Sequence, residues 1–211
     1  LNILRQLEID EQQQNKIFYK LKKIIKKLDL IIFSDFNYGF LPQKLVDRVI
    51  KMARENKTYL VADSQSSSQI GDIARFKNVN LITPTEHESR VSLKNYDDGL
   101  VVISEKLRKI TNSDHLILTL GKDGLFIQTK NNKKNIKQSF ETEKISTLIK
   151  EAKDTAGAGD ALLVSTSLAL ASRKYNIYEA SLLGAVASAI QVSKIGNIPL
   201  QNAEIQRFLK Y

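Results

Sequence analysis

Four short runs in this chain carry no charged side chain: Leu30–Phe33, Thr58–Ala62, Val79–Thr83 and His115–Thr119. Between them, apolar residues recur at helical spacing. Ile17, Phe18, Leu21, Ile24, Ile25 and Leu28 precede the first run, Leu45, Val46, Val49, Ile50 and Ala53 follow it, and Leu100, Val101, Ile103, Leu107 and Ile110 precede the last. A strand without charge has no face to give to water, so it belongs in a sheet covered on both sides. A helix between successive strands makes those strands parallel. The expectation is an α/β fold with a mostly parallel sheet. Pro42 suits the first turn of the helix after the first strand, and Thr85 is placed to cap a short helix through Val91. Gly124–Gln128 reads as a fifth strand, reached through Gly121-Lys122-Asp123-Gly124. The segment from there to Ala152 is ambiguous and fits edge strands. Beyond Gly157 the pattern is helical, over Ala158–Ser172, Glu179–Lys194 and Ala203–Leu209.

Composition narrows the function classes. With 211 residues and 42% hydrophobic content, the chain can bury the core of a single domain. It has no cysteine, which excludes disulfides and Cys-based metal sites, and its two histidines, His87 and His115, exclude a multi-histidine centre. The net charge of +9 favours anionic partners. Its main lysine clusters, Lys20–Lys27 and Lys130–Lys137, lack interleaved aromatics and read as solvated faces, so nucleic acid is not expected. No membrane partner is expected either. The longest apolar-looking stretch, Ala161–Ala171, is broken by Ser165, Thr166 and Ser167 and falls short of the roughly 20 residues of a span. Without a signal-peptide pattern, a cytoplasmic location is expected.

In open α/β sheets ligands bind beyond the carboxyl ends of the strands. That directs attention to the segments after Phe33, Ala62, Thr83 and Thr119, and to the helix start after Ala156. There the chain reads Asp154-Thr155-Ala156-Gly157-Ala158-Gly159-Asp160. Small residues let a large anion approach the backbone. The first N–H groups of a helix have no intrahelical partner, and its dipole favours negative charge there. Gly157, Ala158 and Gly159 can thus supply an anion hole. Asp160 in the first turn is placed to take a proton from a hydroxyl attacking a phosphate. On spacing alone, a glycine-rich helix start with a favourable first-turn Asp accounts for the pattern equally well.

The same seven residues, followed by an apolar helix, resemble the second signature of the ribokinase-like (PfkB) carbohydrate kinases. The resemblance implies Asp160 as catalytic base and Gly157, Ala158 and Gly159 as anion hole. Leu118-Thr119-Leu120-Gly121-Lys122-Asp123-Gly124 resembles the family's Thr-x-Gly-x-x-Gly segment, which implies that Thr119, Gly121 and Gly124 line a nucleotide site. Three further segments are similar to the heptose-phosphate kinase branch: Leu4-Arg5 with Asp10, Ser34–Gly39, and Val192-Ser193-Lys194-Ile195-Gly196. The last implies Lys194 and Gly196 beside the adenine pocket. Thr85-Glu86-His87-Glu88 stands where the family has Asn-x-x-Glu, so Glu88 is implied in handling Mg2+ while Thr85 departs. Asp63-Ser64-Gln65 replaces that branch's Asp-Pro-Lys and lacks a lysine for a sugar phosphate. Ser66-Ser67-Ser68-Gln69 follows, suited to a neutral sugar or to an ordinary loop.

What the resemblance implies is a ribokinase-like three-layer α/β/α sandwich with ATP and Mg2+ as cofactors and a sugar or sugar phosphate as substrate. Residues 1–211 form one domain in this reading, starting at Leu1 without the family's N-terminal sugar-binding segment and lid. Since family lids often mediate dimers, a homodimer is left open. The alternative is a non-catalytic nucleotide- or sugar-binding module.

Overall fold

A computed structural model describes residues 7–66, 70–130, 140–149, 151–196 and 198–210. Leu4-Arg5, Ser67-Ser68-Gln69 and residues 131–137 of the second lysine cluster lie outside these. The chain divides into two compact units, Leu1–Leu116 and Ile117–Tyr211.

In the first unit, α1 (Glu11–Ile24) starts at a reciprocal cap: Asp10 accepts from the Gln13 amide at 2.7 Å, and the Gln13 side chain accepts from the Asp10 amide. A 3₁₀ turn, Ile25–Lys27, leads to β1 (Leu30–Asp35). Then come α2 (Gln43–Glu55), β2 (Tyr59–Ser64), β3 (Leu81–Ile82), α3 (Glu86–Leu93), α4 (Leu100–Thr111) and the start of β4 (His115–Thr119). β1, β2, β3 and β4 are neighbours in that order and all parallel, with Ile32 opposite Val61, Ala62 opposite Ile82, and Leu81 opposite His115. The apolar stripe foreseen for α2 is buried, from Leu45 and Val46 to Ala53, as are Leu60, Val61, Ala62, Leu81, Ile82, Ile103 and Leu107.

Differences from the sequence reading have local causes. Pro42 is the N-cap of α2 and not its first-turn residue, since its extended ψ of 148° stops it joining the helix. β3 pairs over two residues only, because the Asn80 side chain takes a ladder place: its Oδ1 accepts from the Leu60 amide at 2.9 Å. Leu30, Ile31 and Ile32 are half-buried, since β1 has a hydrogen-bonded neighbour on one side alone.

In the second unit, β4 runs through Thr119 to a 3₁₀ turn (Gly121–Asp123) and β5 (Leu125–Lys130). β6 (Phe140–Ile145) pairs antiparallel with β5, which resolves the ambiguous segment as an edge strand. Its charged residues Glu141, Glu143 and Lys144 are of the kind that blunt an open edge. α5 (Ala158–Ala171), α6 (Ile177–Val192) and α7 (Asn202–Phe208) follow. α5 and α6 are apolar all round and pack closely against each other. A Cβ on Gly184 would come within 2.1 Å of the Thr166 hydroxyl, so only glycine allows the approach. Among the described residues, no helix is long and apolar enough to cross a membrane.

Candidate active site

In the second unit, Gly157 is the N-cap of α5. Its φ of +75° lies in the left-handed region that glycine enters without strain, and it brings no side chain to cap the helix. The first full-turn bond runs from the Ala161 amide to the Gly157 carbonyl at 2.9 Å. The Ala158 N–H makes a longer bond, 3.3 Å, back to the Thr155 carbonyl. The N–H groups of Gly159 and Asp160 precede any intrahelical acceptor and point out of the first turn. A Cβ on Gly159 would meet nothing within 4 Å, so the space above it is open. Asp160 is exposed.

Gly157 and Asp160 sit at one end of a groove of about 610 Å³, which continues along Val164 and Leu168 of α5 to Pro199 and Ile205. Two of the second-unit segments implicated by sequence, Asp154–Asp160 and Val192–Gly196, meet at this helix start. Asp154 Oδ1 accepts from the Ala156 amide at 3.0 Å, and Oδ2 accepts from the Gly196 amide at 2.8 Å. These backbone donors hold the Asp154 carboxyl below the usual carboxylate range. Lys153 and Asp154 also donate their amides to the Val192 carbonyl. Residues 153–156 are thereby laced to the loop after α6. Lys194 on that loop pairs with Glu204 of α7 at 2.7 Å, and Lys194 in turn holds the Glu204 carboxyl down.

Thr119 ends β4, half-buried, and Gly121 (φ +57°) opens the tight turn, with free space where a Cβ would stand. Gly124 has a packing reason: a Cβ there would lie 2.1 Å from the Ile145 carbonyl oxygen of β6. Its glycine is needed to seat the edge strand.

In the first unit, Glu88 is buried on α3 with both carboxylate oxygens engaged. Oε1 accepts from the Ser66 amide at 2.9 Å and Oε2 from the Thr85 amide at 2.8 Å. Thr85 returns the cap, its Oγ1 accepting from the Glu88 amide at 3.1 Å. Thr85 therefore acts as the foreseen cap. Among the described residues no three His, Asp or Glu side chains gather into a metal-holding group. The Ser34–Gly39 loop is held by pairs that sequence reading missed. Buried Asp35 receives Arg75 at 2.6 Å and the Asn37 amide at 3.0 Å, and the Asn37 side chain donates to the Gln65 carbonyl at 2.8 Å.

Gln191 was also missed. It is buried on α6, and its side-chain nitrogen donates to the Ala156 carbonyl at 3.3 Å and the Gly196 carbonyl at 3.2 Å. The available signal was a long polar side chain in the otherwise small or apolar run Ala185–Val192.

Comparison with known proteins places the chain in a family. The chain is 28% identical over 207 residues to the bifunctional protein HldE of a Nitratiruptor species, an alignment covering 95% of this chain and 40% of that protein. The chain thus spans about two-fifths of the length of the curated relatives it matches. Phosphofructokinase-2 from Escherichia coli, in complex with potassium, shares the fold with a TM-score of 0.77 at 14% identity, over 97% of this chain and 63% of that one. Arabidopsis thaliana ribokinase, complexed with ribose and ATP, does so with a TM-score of 0.72 at 16% identity, over 97% and 60%. The fold is ribokinase-like, with a mostly parallel sheet of six strands. The description pfkB family carbohydrate kinase matches residues 2–203, and with nearly the whole chain inside that match, this protein belongs to the pfkB carbohydrate kinases.

Proposed function

We propose that this chain carries the catalytic and nucleotide-binding part of an ATP-dependent carbohydrate kinase, which transfers the γ-phosphoryl group to a hydroxyl of a sugar or sugar phosphate. The observation that carries this reading is the helix start at Gly157: uncapped, open above Gly159, and flanked by an exposed carboxylate at the mouth of a groove. Family membership and the ribokinase neighbour complexed with ribose and ATP support the choice of substrates.

In this mechanism Asp160 accepts the proton of the attacking hydroxyl. The sugar oxygen forms a bond to the γ-phosphorus as the bond from that phosphorus to the β,γ-bridging oxygen breaks, and ADP leaves with the electron pair. Backbone N–H groups of the Gly157–Gly159 segment stabilise the charge on the phosphoryl oxygens. They are fixed before the reaction, so they need no reorganisation during it. The nucleotide lies along Thr119, Gly121 and the Lys194–Gly196 loop.

Magnesium, held mainly by the nucleotide's phosphates and water, supplies charge neutralisation. The residues fit a water-mediated role only. Glu88, implied in metal handling, already gives each carboxylate oxygen to a backbone amide and keeps further lone pairs that would accept from a metal-bound water.

The test is Asp160→Asn in the full-length protein, assayed with labelled ATP across a panel of sugars and sugar phosphates. Turnover should fall by about 10²- to 10⁴-fold or more, the usual contribution of a positioned general base. Nucleotide binding should stay measurable. Turnover equal to wild type would remove Asp160 from the mechanism. ATP binding by the wild type with no transfer to any acceptor would instead favour a binding module.

A further inference from the structure

We infer that Gln191 is a positioning residue that locks the anion-hole segment to the loop proposed to flank the nucleotide. The inference rests on the kinase reading above for the identity of the ligand, and on four hydrogen bonds for the lock itself. Asp154 takes the amides of Ala156 and Gly196. Gln191 gives its side-chain nitrogen to the carbonyls of the same two residues. One pair of side chains thus engages both polar groups of Ala156 and both of Gly196, a carboxylate accepting twice and an amide donating twice, while the Gly196 carbonyl also accepts from the Ile198 amide at 3.0 Å.

The placement suits that task. Ala156 precedes Gly157, so fixing its peptide group fixes where the open N–H groups of the α5 start point. Gly196 has φ +81° and free space where a Cβ would stand, a backbone without side-chain packing of its own to hold it. Gln191 is buried at 3% exposure on α6, one residue before that helix ends. A buried polar side chain is tolerated where its hydrogen bonds are made. Here they go to the Ala156 and Gly196 carbonyls, adding to the backbone bonds by which the Gln191 and Val192 carbonyls at the end of α6 accept from Lys194 and from Lys153 and Asp154. Because α6 is itself packed against α5, the amide is carried on a rigid support.

Loss of the donor should loosen the 193–196 loop against the α5 start, leaving the Asp154 bonds to hold them alone at the Ala156 and Gly196 amides. The consequence is weaker nucleotide binding with little change in the proton-transfer step. Gln191→Met keeps length and helix propensity and removes the donor. Gln191→Glu keeps the shape and turns an acceptor toward two carbonyls. Both are measured in the full-length protein, beside circular dichroism and melting temperature, by KM for ATP, kcat, and amide exchange at Ala156 and Gly196.

The expected result is a rise in KM for ATP of roughly tenfold in the Met variant, the scale of one buried hydrogen bond, a larger rise in the Glu variant, and smaller changes in kcat. Exchange at Ala156 and Gly196 should accelerate while the centre of α6 stays protected. If Gln191 only fills space, both isosteres will bind ATP like the wild type with unchanged exchange, and the lock is overturned. If the wild type binds no nucleotide at all, the kinase reading falls, and exchange alone decides: faster at these two amides upholds the lock, unchanged refutes it. If the Met variant does not fold, the same two outcomes are read from the Glu variant.

Discussion

Two helices in this protein, α3 after the parallel strand β3 and α5 after the connection that leaves β6, treat their first N–H groups in opposite ways. At α3 the chain satisfies itself. Thr85 and Glu88 cap each other reciprocally, and the remaining Glu88 oxygen takes the Ser66 amide. At α5 the chain withholds every side-chain cap, places glycines at the N-cap and second helical positions, and keeps the first-turn carboxylate in solvent. A helix start that closes on its own side chains is worth stability. One left open forgoes that stability and keeps its donors for something else. The contrast explains how one chain can carry the implied Glu88 and Asp160, both first-turn acids, with such different chances of meeting a substrate.

The sharpest way to break the comparison is to close α5. Gly159→Ala adds a methyl into empty space at a helical position with ordinary φ, so the fold should become more stable, by up to about 1 kcal/mol from helix propensity. The same methyl occupies the room a phosphoryl group needs above the N–H groups. Phosphoryl transfer should fall on the order of 10²-fold, comparable to losing one anion-hole donor. Thermal melting and turnover, measured on one preparation, should therefore move in opposite directions. A variant that gains stability and keeps its rate would show that the open helix start is not where the phosphoryl group sits.

Opening α3 should do the reverse. Thr85→Ala removes the hydroxyl that accepts the Glu88 amide and should cost about 1 kcal/mol, within the usual range for losing an N-cap. For a chain of this length that is a fall in melting temperature of roughly 2–4 °C. ATP affinity should not change. Thr85→Asn exchanges one good cap for another and should melt near the wild type. Glu88 keeps the Ser66 and Thr85 amides in the alanine variant, so a loss of ATP affinity there would mean that the Thr85 hydroxyl itself serves the site.

How much of this was legible depends on the range of the interaction. β4 was readable to the residue, because five consecutive uncharged positions leave a strand no other choice. The Thr85 cap was readable from one hydroxyl at the right offset. α6 was placed two residues late, though Asn176 and Glu179 form a reciprocal cap that the sequence displays at the spacing of a capping box. β6 stayed ambiguous since its charges mask any period, and only its partner β5 explains it. In the site, the local part was legible: the glycines and Asp160 lie within four residues. The bonds from Asp154 to Gly196, 42 positions away, and from Asp35 to Arg75, 40 positions away, were not. Nothing in a one-dimensional pattern pairs such residues when the intervening elements must first stack.

The smallest expected effect tests the one carboxylate near α5 that does take backbone amides. Asp154 is held below its ordinary pKa first by the Ala156 N–H and then by the Gly196 N–H. The sign follows from linkage. A carboxylate whose folded pKa is depressed contributes its stability fully above the unfolded value near 3.9, and loses it as pH falls through the lower folded value. Between pH 6 and 8 the bonds should therefore be insensitive to pH. Melting temperatures taken downward from pH 5 should fall more steeply for the wild type than for Asp154→Asn, which has no proton to gain there. Equal slopes would mean that these amides do not hold the ionised form. The two acids of one short motif are thus separable: Asp154 by its effect on acid stability, Asp160 by its effect on rate.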